Sequence, residues 1–408
     1  MLSILNRINI YTLLTGVFFI LTLHFRASYT IIPAILFFSG LYFIIVNLKN
    51  KTFKINPENK LFIVSFIGYF ALFILSLIIH QGKLRELDLP SRILLILPFL
   101  TLFSHIKIKP LWILYAIVTA SFIAGIVALI QKYYLHIPFP FPQHNKIQAS
   151  DIAISLSLFS LCIGLYFYQL KNKLLAIFSS IAFLLGFIAS ILCFSRGAII
   201  GFLIATGFIL WFYRHLFSKT VLLLILLSTI LFGYISYNTA ETRWNRIYTE
   251  ASLCMNKNKC YSSVGARLEM YKSALHGIDQ KPLLGWGLEG VKKMRKQHSE
   301  QGYISRLAAR YDHAHNQFLH DGSARGVFGL LALLAIFFVP FNLFLKGIKQ
   351  SAKPLPTLLG TLGIVHIVAT MGYCLTQSFL SHNSGTMFYF VGVTLLLSLQ
   401  RIAIQEDQ

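Results

Sequence analysis

The chain alternates between long apolar blocks and short polar connections. Inside the blocks, apolar positions follow neither the 3.6-residue period of an amphipathic helix nor the two-residue period of a half-buried strand. A helix of about 20 apolar residues matches the thickness of the hydrocarbon core of a bilayer. The pattern therefore predicts an all-α polytopic membrane protein.

Twelve spans are predicted, with one large loop between the ninth and the tenth. Residues 1–236 hold the first nine spans, 237–325 form the loop and 326–408 hold the last three. The fourth span is short and contains Pro98. The predicted spans are 8–25, 28–47, 61–80, 91–104, 110–131, 150–169, 174–193, 197–213, 220–236, 326–345, 355–376 and 384–402.

Composition agrees with a membrane protein. The chain is 56% hydrophobic and 12% charged, whereas a soluble domain carries about 25% charged residues. The net charge of +22 would suggest nucleic acid as the partner of a soluble protein. In a membrane protein, the positive-inside bias and attraction to anionic headgroups account for it. We therefore expect membrane lipids as partners and no nucleic acid.

The distribution of Lys and Arg predicts the orientation. With both termini inside, the short cytoplasmic segments hold fifteen of them, and the short outer loops hold seven. The seven are Arg26, Lys83, Arg85, Arg92, Lys132, Lys146 and Arg196. Cytoplasmic loops carry the excess of positive charge, and long segments do not count. The loop 237–325 is therefore expected on the outer side.

Two of the five cysteines, Cys254 and Cys260, lie in the long loop, separated by Met-Asn-Lys-Asn-Lys. In an oxidising periplasm this pair predicts a local disulfide, and two free thiols are the alternative. Cys162, Cys193 and Cys374 lie in apolar spans, where a cysteine behaves as a small core residue.

Segment 174–213 contains a single charge, Arg196, in the sequence Ser195-Arg196-Gly197. Forty residues make two spans, so this tripeptide marks the turn between them and leaves the guanidinium near the outer surface. An ionisable group held there is a functional candidate. It would form a bidentate clamp on a phosphate of a lipid-linked substrate. The alternative is an interfacial arginine that reaches lipid phosphates.

The long loop supplies two further candidates. A helix is predicted from Gly265 to about Leu275, and it carries Arg267. A single arginine on a helix is weak evidence, since pairing with Glu269 or exposure to solvent is common. Trp286 lies between two glycines after a Pro/Gly turn. Its indole would pack on a sugar face or serve as an interfacial anchor.

Three histidines, His313, His315 and His320, lie where the loop enters the tenth span. A metal site would need the His-x-His pair on extended chain and a third ligand nearby. We favour general base catalysis, because neutral imidazole accepts a proton near pH 7 and Asp312 or Asn316 would orient the ring. A polar cap without catalysis is the third possibility.

The outer loops hold no pair of acids with Asp-x-Asp-like spacing to bind a divalent cation, so we expect no metal and no other cofactor. A bound diphosphate would then be neutralised by arginine. The long loop has fourteen Lys and Arg against eight Asp and Glu. Its field suits an anionic ligand.

Three motifs carry a resemblance to the O-antigen ligase family of Gram-negative bacteria. They are Ser195-Arg196-Gly197 between adjacent spans, Arg267 followed by Pro-Leu-Leu-Gly-Trp-Gly at 282–287, and His315-Asn316 with Gly326-Val327-Phe328-Gly329 nine residues later. The resemblance covers residues 190–330 and the plan of twelve spans. The superfamily also includes O-antigen polymerases and some bacterial O-oligosaccharyltransferases.

The resemblance implies a metal-independent, inverting membrane glycosyltransferase of GT-C type in the bacterial inner membrane, with its active site facing the periplasm. It would move a glycan from undecaprenyl pyrophosphate to a sugar hydroxyl of lipid A–core in lipopolysaccharide biosynthesis. By the motifs, His315 is the general base, while Arg196 and Arg267 hold the pyrophosphate. His313 would be a supporting or acceptor-binding residue, and the alternative is that the two histidines have each other's roles.

Other functions remain as alternatives. An O-antigen polymerase or a protein O-oligosaccharyltransferase would share the same motifs. A transporter or flippase is a different class, and it would need ionisable residues at mid-membrane depth and internal repeats. The predicted spans are nearly free of charge and show no repeat. We therefore favour the transferase.

Overall fold

The computed structural model describes residues 2–25, 27–52, 54, 57–195, 197–216, 248–250, 252–254 and 260–406. Regular structure within these ranges is entirely helical. The longer helices are α1 (Leu2–Leu21), α2 (Ser28–Lys49), α3 (Pro57–Ile79), α4 (Leu97–His105), α5 (Pro110–Leu129), α6 (Lys146–Gln169), α7 (Lys173–Leu192), α8 (Gly197–Phe212), α9 (Ser263–Gln280), α10 (Leu288–Glu300), α11 (Gln317–Gln350), α12 (Pro354–Thr376) and α13 (Asn383–Gln405).

The hydropathy pattern located the membrane helices correctly. Nine helices in the described ranges are long and apolar enough to cross a membrane, and Asn6–Leu21 and Gly197–Phe212 are shorter apolar helices. These eleven lie at eleven of the twelve predicted spans. The ninth predicted span, 220–236, lies outside the described residues. The chain is a multi-pass membrane protein.

Helices α6, α12 and α13 form the core of the bundle. In each of them 89% of the apolar segment is buried, against 22% in α2 and in α3. The core helix α12 packs against α6, α8, α11 and α13. Glycine allows the closest approach, because a Cβ on Gly201 of α8 would lie 2.6 Å from the carbonyl oxygen of Ala369 on α12. Helices α2 and α3 instead expose apolar side chains such as Phe38 and Val64.

The fourth predicted span, 91–104, lies within a candidate membrane span, Leu84–His105, that is not one regular helix. The segment Leu84–His105 is a series of short turns, Leu84–Leu87, Asp88–Ser91 and Leu94–Ile96, followed by α4. Two prolines account for the breaks: Pro90 lies within the second turn, and Pro98 lies in the first turn of α4. Proline has no N–H to donate and clashes with the preceding turn, so it starts helices and interrupts them.

The tenth span starts earlier than predicted. Helix α11 begins at Gln317, nine residues before the expected boundary, and breaks at Gly326, where φ is 65° and ψ is −156°. The loop packs into this break, since the N–H of Val327 donates to the Pro282 carbonyl at 2.7 Å. The turn before the break is buried and contains the ion pair of Asp321 and Arg325. The catalytic candidates therefore lead into an anchored helix.

The spans are not as free of charge as the sequence suggested. Asp151 is completely buried in α6 and accepts a hydrogen bond from Gln377. A buried carboxyl group next to one amide differs from the chain of ionisable groups that a transport path needs.

Candidate active site

A cavity of about 480 Å³ lies where the loop meets the helix bundle. Its wall includes the first residues of α6, α8 and α9, which are Lys146, Gly197 and Ser263. His315 completes the wall, one residue before the N-cap of α11. The other lining residues are Ile147, Phe194, Ser195, Glu250, Val264, Arg267, Met270, Tyr311 and Thr376.

The N-termini of three helices therefore meet at the cavity, and α11 begins two residues after His315. Each N-terminus leaves backbone N–H groups without a helical partner and carries about half a positive charge. The N-cap side chains of Asn145, Ser262 and Asn316 accept backbone N–H groups of α6, α9 and α11 at 2.9, 3.0 and 3.1 Å. Further N–H groups of the first turns remain for a ligand. Such an arrangement favours an anion, above all a phosphate.

Arg267 lies one turn into α9 and lines the cavity half-buried. The alternative partner considered from the sequence, Glu269, lies two residues further along, on a different face of the helix. Glu269 accepts the N–H of Ser305 at 2.9 Å and its hydroxyl group as well. Among the described residues Arg267 has no ion pair. Its charge is available to the cavity.

His315 lies on the same cavity wall in a strained conformation. Its φ is 49°, in the left-handed region that non-glycine residues rarely adopt. The Tyr271 hydroxyl donates to its carbonyl at 3.3 Å, and its ring lies 5.3 Å from the Tyr311 ring. The Nδ1 atom is buried and has no hydrogen-bond partner. The imidazole is therefore positioned by backbone contacts and packing.

The expected orientation of the ring by Asp312 or Asn316 was wrong. The Asp312 side chain is 79% exposed and pairs with Lys292 at 3.5 Å. Asn316 donates from Nδ2 to the carbonyl of Leu375 at 3.2 Å, besides capping α11. Asn316 supports His315 by fixing the backbone that follows it, because its side chain is bound to α12 and α11.

Burial and neighbouring cations keep both candidate bases neutral. Burial, followed by the charges of His313 and Arg267, lowers the pKa of His315 to about 3. Burial, followed by the charges of His382 and Arg295, lowers the pKa of His313 to about 4. At neutral pH each imidazole is free to accept a proton, but it is a weak base until negative charge enters the cavity. An anionic ligand would raise both pKa values.

Behind His315 lie His313, which the sequence analysis named as a supporting residue, and His382 and Arg295, which it did not. The His313 ring lies 4.4 Å from the His315 ring and 5.6 Å from that of His382. Arg295 is completely buried and donates to the Tyr311 carbonyl at 2.8 Å. Its Nε and Nη2 atoms have no partner. Arg295 belonged to a basic run in the sequence, and no pattern separated it from its exposed neighbours Lys292, Lys293 and Lys296.

The remaining predicted residues lie as follows. Arg196 lies outside the described residues, and its neighbours Ser195 and Gly197 both line the cavity. Trp286 does not line it: the indole donates to the Gly277 carbonyl at 2.8 Å, and Lys281 lies 4.1 Å above the ring. Contacts of this kind make Trp286 a packing residue. Cys254 and Cys260 form a disulfide.

His320 lies apart from the other two histidines of its segment. It is buried on α11 and lines a separate small cavity together with Arg325 and Glu86. Within the described part of the chain, no three His, Cys, Asp or Glu side chains are grouped as metal ligands. Lys146, Tyr271 and Tyr311 join the site through the fold, since no motif in the sequence marks them.

Comparison with known proteins identifies the segment that builds this cavity. Residues 181–334 match the model of the O-antigen ligase domain. The match contains the turn before α8, Arg267 and His315. This segment is a domain of the O-antigen ligase family. The resemblance inferred from the three motifs is thereby confirmed.

Two proteins are similar to this chain beyond the matched domain. An uncharacterized protein of Haemophilus influenzae is 36% identical over 383 residues, covering 93% of this chain and 95% of that protein. The O-antigen ligase of Escherichia coli is 29% identical over 280 residues, covering 66% of this chain and 63% of that protein.

Proposed function

We propose that this protein is an O-antigen ligase that transfers a glycan from undecaprenyl pyrophosphate to a sugar hydroxyl of lipid A–core, on the periplasmic side of the inner membrane. The observation that carries the proposal is the single cavity in which Arg267 and His315 meet the N-termini of three helices. A glycosyl pyrophosphate needs an anion site beside its reacting carbon, and a sugar hydroxyl needs a base.

The proposed reaction is an in-line displacement. The acceptor hydroxyl oxygen forms the new bond to the anomeric carbon while His315 takes the hydroxyl proton. The bond from that carbon to the phosphate oxygen breaks, and pyrophosphate leaves with the electron pair. Attack from the opposite side inverts the anomeric centre.

The leaving group needs positive charge, and the cavity offers several sources. Arg267 is proposed to bind the pyrophosphate through a bidentate fork, and Arg196 is proposed as the second clamp because both of its neighbours line the cavity. Lys146 and the helix N-termini add charge there. With these groups the proposed transfer needs no metal ion.

Replacement of the base tests the proposal directly. His315→Ala is expected to lower glycan transfer in proteoliposomes at least a hundredfold, since a general base contributes about 10²–10⁴ in rate. The control is His136→Ala, which removes an exposed histidine of another outer loop and should leave transfer unchanged. Near-normal transfer by His315→Ala would refute the assignment of the base.

The same assay tests the proposed binding of pyrophosphate by Arg267. Arg267→Lys keeps the charge but loses the planar fork, so most of the activity should be lost. Arg306→Lys, at an exposed arginine of the same loop, is the matched control.

Deletion of the gene distinguishes a ligase from a polymerase and from an oligosaccharyltransferase. Loss of glycan-capped lipopolysaccharide with accumulation of the lipid-linked donor is expected for a ligase. A cap of one repeat unit would instead indicate a polymerase, and unchanged lipopolysaccharide with altered glycoproteins would indicate an oligosaccharyltransferase.

A further inference from the structure

A second cavity of about 490 Å³ lies at the other end of the helix bundle. It is bounded by the ends of α2, α4 and α13 and by the start of α3. Arg401 on its wall is nineteen residues beyond His382 along α13, or about 28 Å at the rise of an α-helix. This cavity is therefore separate from the candidate active site.

The lining is amphiphilic. The lining combines apolar side chains with polar and basic ones. The apolar residues are Ile44, Ile63, Leu94, Leu97, Pro98, Leu100, Phe103 and Ile402. The polar and basic residues are Asn47, Thr52, Lys54, Asn59, Thr101, Ser104, His105, Ser398, Arg401 and Gln405. No acidic side chain is among the described residues that line it. Such a lining fits a molecule with an anionic head and a hydrocarbon tail.

The two cations of the lining, Lys54 and Arg401, are not neutralised by a carboxylate of the cavity wall. Arg401 is held in place by a hydrogen bond from Nη1 to Asn59. Glu58 is close enough to Arg401 for their charges to interact, but its carboxylate binds Lys346 at 2.8 Å. Lys54 is exposed on the same wall. A positive field therefore remains.

Helix ends oppose this field only in part. The C-termini of α2, α4 and α13 each contribute about half a negative charge, and the N-terminus of α3 contributes about half a positive one. The helix ends together contribute about one negative charge, so the two cations leave a net charge of about +1 at the cavity. Some terminal carbonyls are also occupied, because Thr52 donates to Asn47 and Ile106 donates to Leu102, both at 2.9 Å.

We propose that this cavity binds the phosphate headgroup of an anionic phospholipid, with the acyl chains lying against the apolar residues of the lining. Basic pockets between membrane helices are known sites for such headgroups. The alternative source of the same chemistry is free phosphate, which lacks the tail that the apolar residues would contact. The proposal is independent of the transfer reaction.

Native mass spectrometry of the purified protein tests the site. The delipidated protein is mixed with phosphatidylglycerol, with phosphatidylcholine or with inorganic phosphate. Phosphatidylglycerol should be retained at least threefold more than phosphatidylcholine, and phosphate alone should not be retained. Equal retention of the two lipids, or retention of phosphate alone, would overturn the proposal.

Variants locate the binding. Lys54→Gln and Arg401→Gln should each reduce the retained phosphatidylglycerol at least threefold, while Arg401→Lys should keep most of it. The matched control is Lys349→Gln, at an exposed lysine of α11 that does not line the cavity. Arg401→Gln also removes the hydrogen bond to Asn59 and could therefore misfold. If Arg401→Gln misfolds, Lys54→Gln alone decides the result. Equal losses in Lys54→Gln and the control would contradict the site.

Discussion

His315 is held in a conformation that costs free energy. A non-glycine residue in the left-handed region costs about 1–3 kcal/mol, and it persists only where surrounding contacts impose it. Here Tyr271 binds the His315 carbonyl, and both Tyr271 and Asn316 bind the Leu375 carbonyl at the end of α12. The strained backbone therefore accompanies a position of the imidazole on the cavity wall, packed against Tyr311 and His313.

The lowered pKa of His315 predicts an unusual pH profile. Since the imidazole stays neutral until the pH falls to about 3 in the free protein, the acid limb of kcat/KM should lie well below the ordinary histidine value of about 6.5. Bound pyrophosphate raises the pKa, so the acid limb of kcat should lie at higher pH than that of kcat/KM. Both profiles can be measured in proteoliposomes.

A control and a contrary outcome sharpen this test. His136→Ala, at an exposed histidine remote from the cavity wall, should reproduce both profiles. If the acid limb of kcat/KM lies near pH 6.5, the base that acts in the free protein is not a His315 with a lowered pKa.

At this scale the sequence predicted residue types better than contacts. It marked Arg267 and His315, which lie 48 positions apart and line one cavity. It did not indicate the side-chain partners of Asn316 and Trp286, which are the backbone carbonyls of Leu375 and Gly277. The positions of backbone carbonyls depend on the fold, and they cannot be predicted from residue types.

Among the elements, the broken helix α11 positions the catalytic segment. Its first part carries the buried pair of Asp321 and Arg325, and Gly326 separates that part from the membrane span. A Cβ on Gly326 would lie 2.2 Å from the carbonyl oxygen of Leu283. The loop after α9 therefore packs against the break only because the residue is glycine.

Gly326→Ala should consequently destabilise the protein. The φ and ψ of this residue belong to a region almost exclusive to glycine and cost about 1–3 kcal/mol in other residues, and the clash with Leu283 adds to that. A lower midpoint of thermal unfolding in detergent is expected, together with reduced transfer. Gly207→Ala, at a helical glycine with nothing within 4 Å, should leave stability unchanged or slightly higher. Equal midpoints for the two variants would contradict the role of the break.

Elements were predicted well where hydropathy alone decides and poorly where the backbone departs from a helix. The long apolar blocks lie at the observed helices because lipid requires internal backbone hydrogen bonding. The segment 84–105 is a candidate span but not one regular helix, since Pro90 and Pro98 interrupt it. Helix α11 begins earlier than predicted because its first turns are buried by protein contacts. Hydropathy carries neither kind of information.

In the whole molecule, the two cavities lie at opposite ends of the bundle, and they differ in the helix termini and cations that surround them. Helix N-termini and Arg267 surround the first, while helix C-termini with Arg401 and Lys54 bound the second. The excess of Lys and Arg in the short segments on the side of the termini predicts that the second cavity faces the cytoplasm. The active site would then face the periplasm.

Labelling of introduced cysteines tests this orientation. Gln301→Cys, at an exposed position after α10, should react with a membrane-impermeant maleimide in intact spheroplasts, whereas Lys349→Cys should react only after lysis. Background labelling should be low, because Cys162, Cys193 and Cys374 are buried and the other two cysteines are paired. The unmodified protein measures that background. The reverse pattern would place His315 in the cytoplasm, where a lipid A–core acceptor exported to the periplasm could not reach it, and the ligase proposal would fail with the orientation.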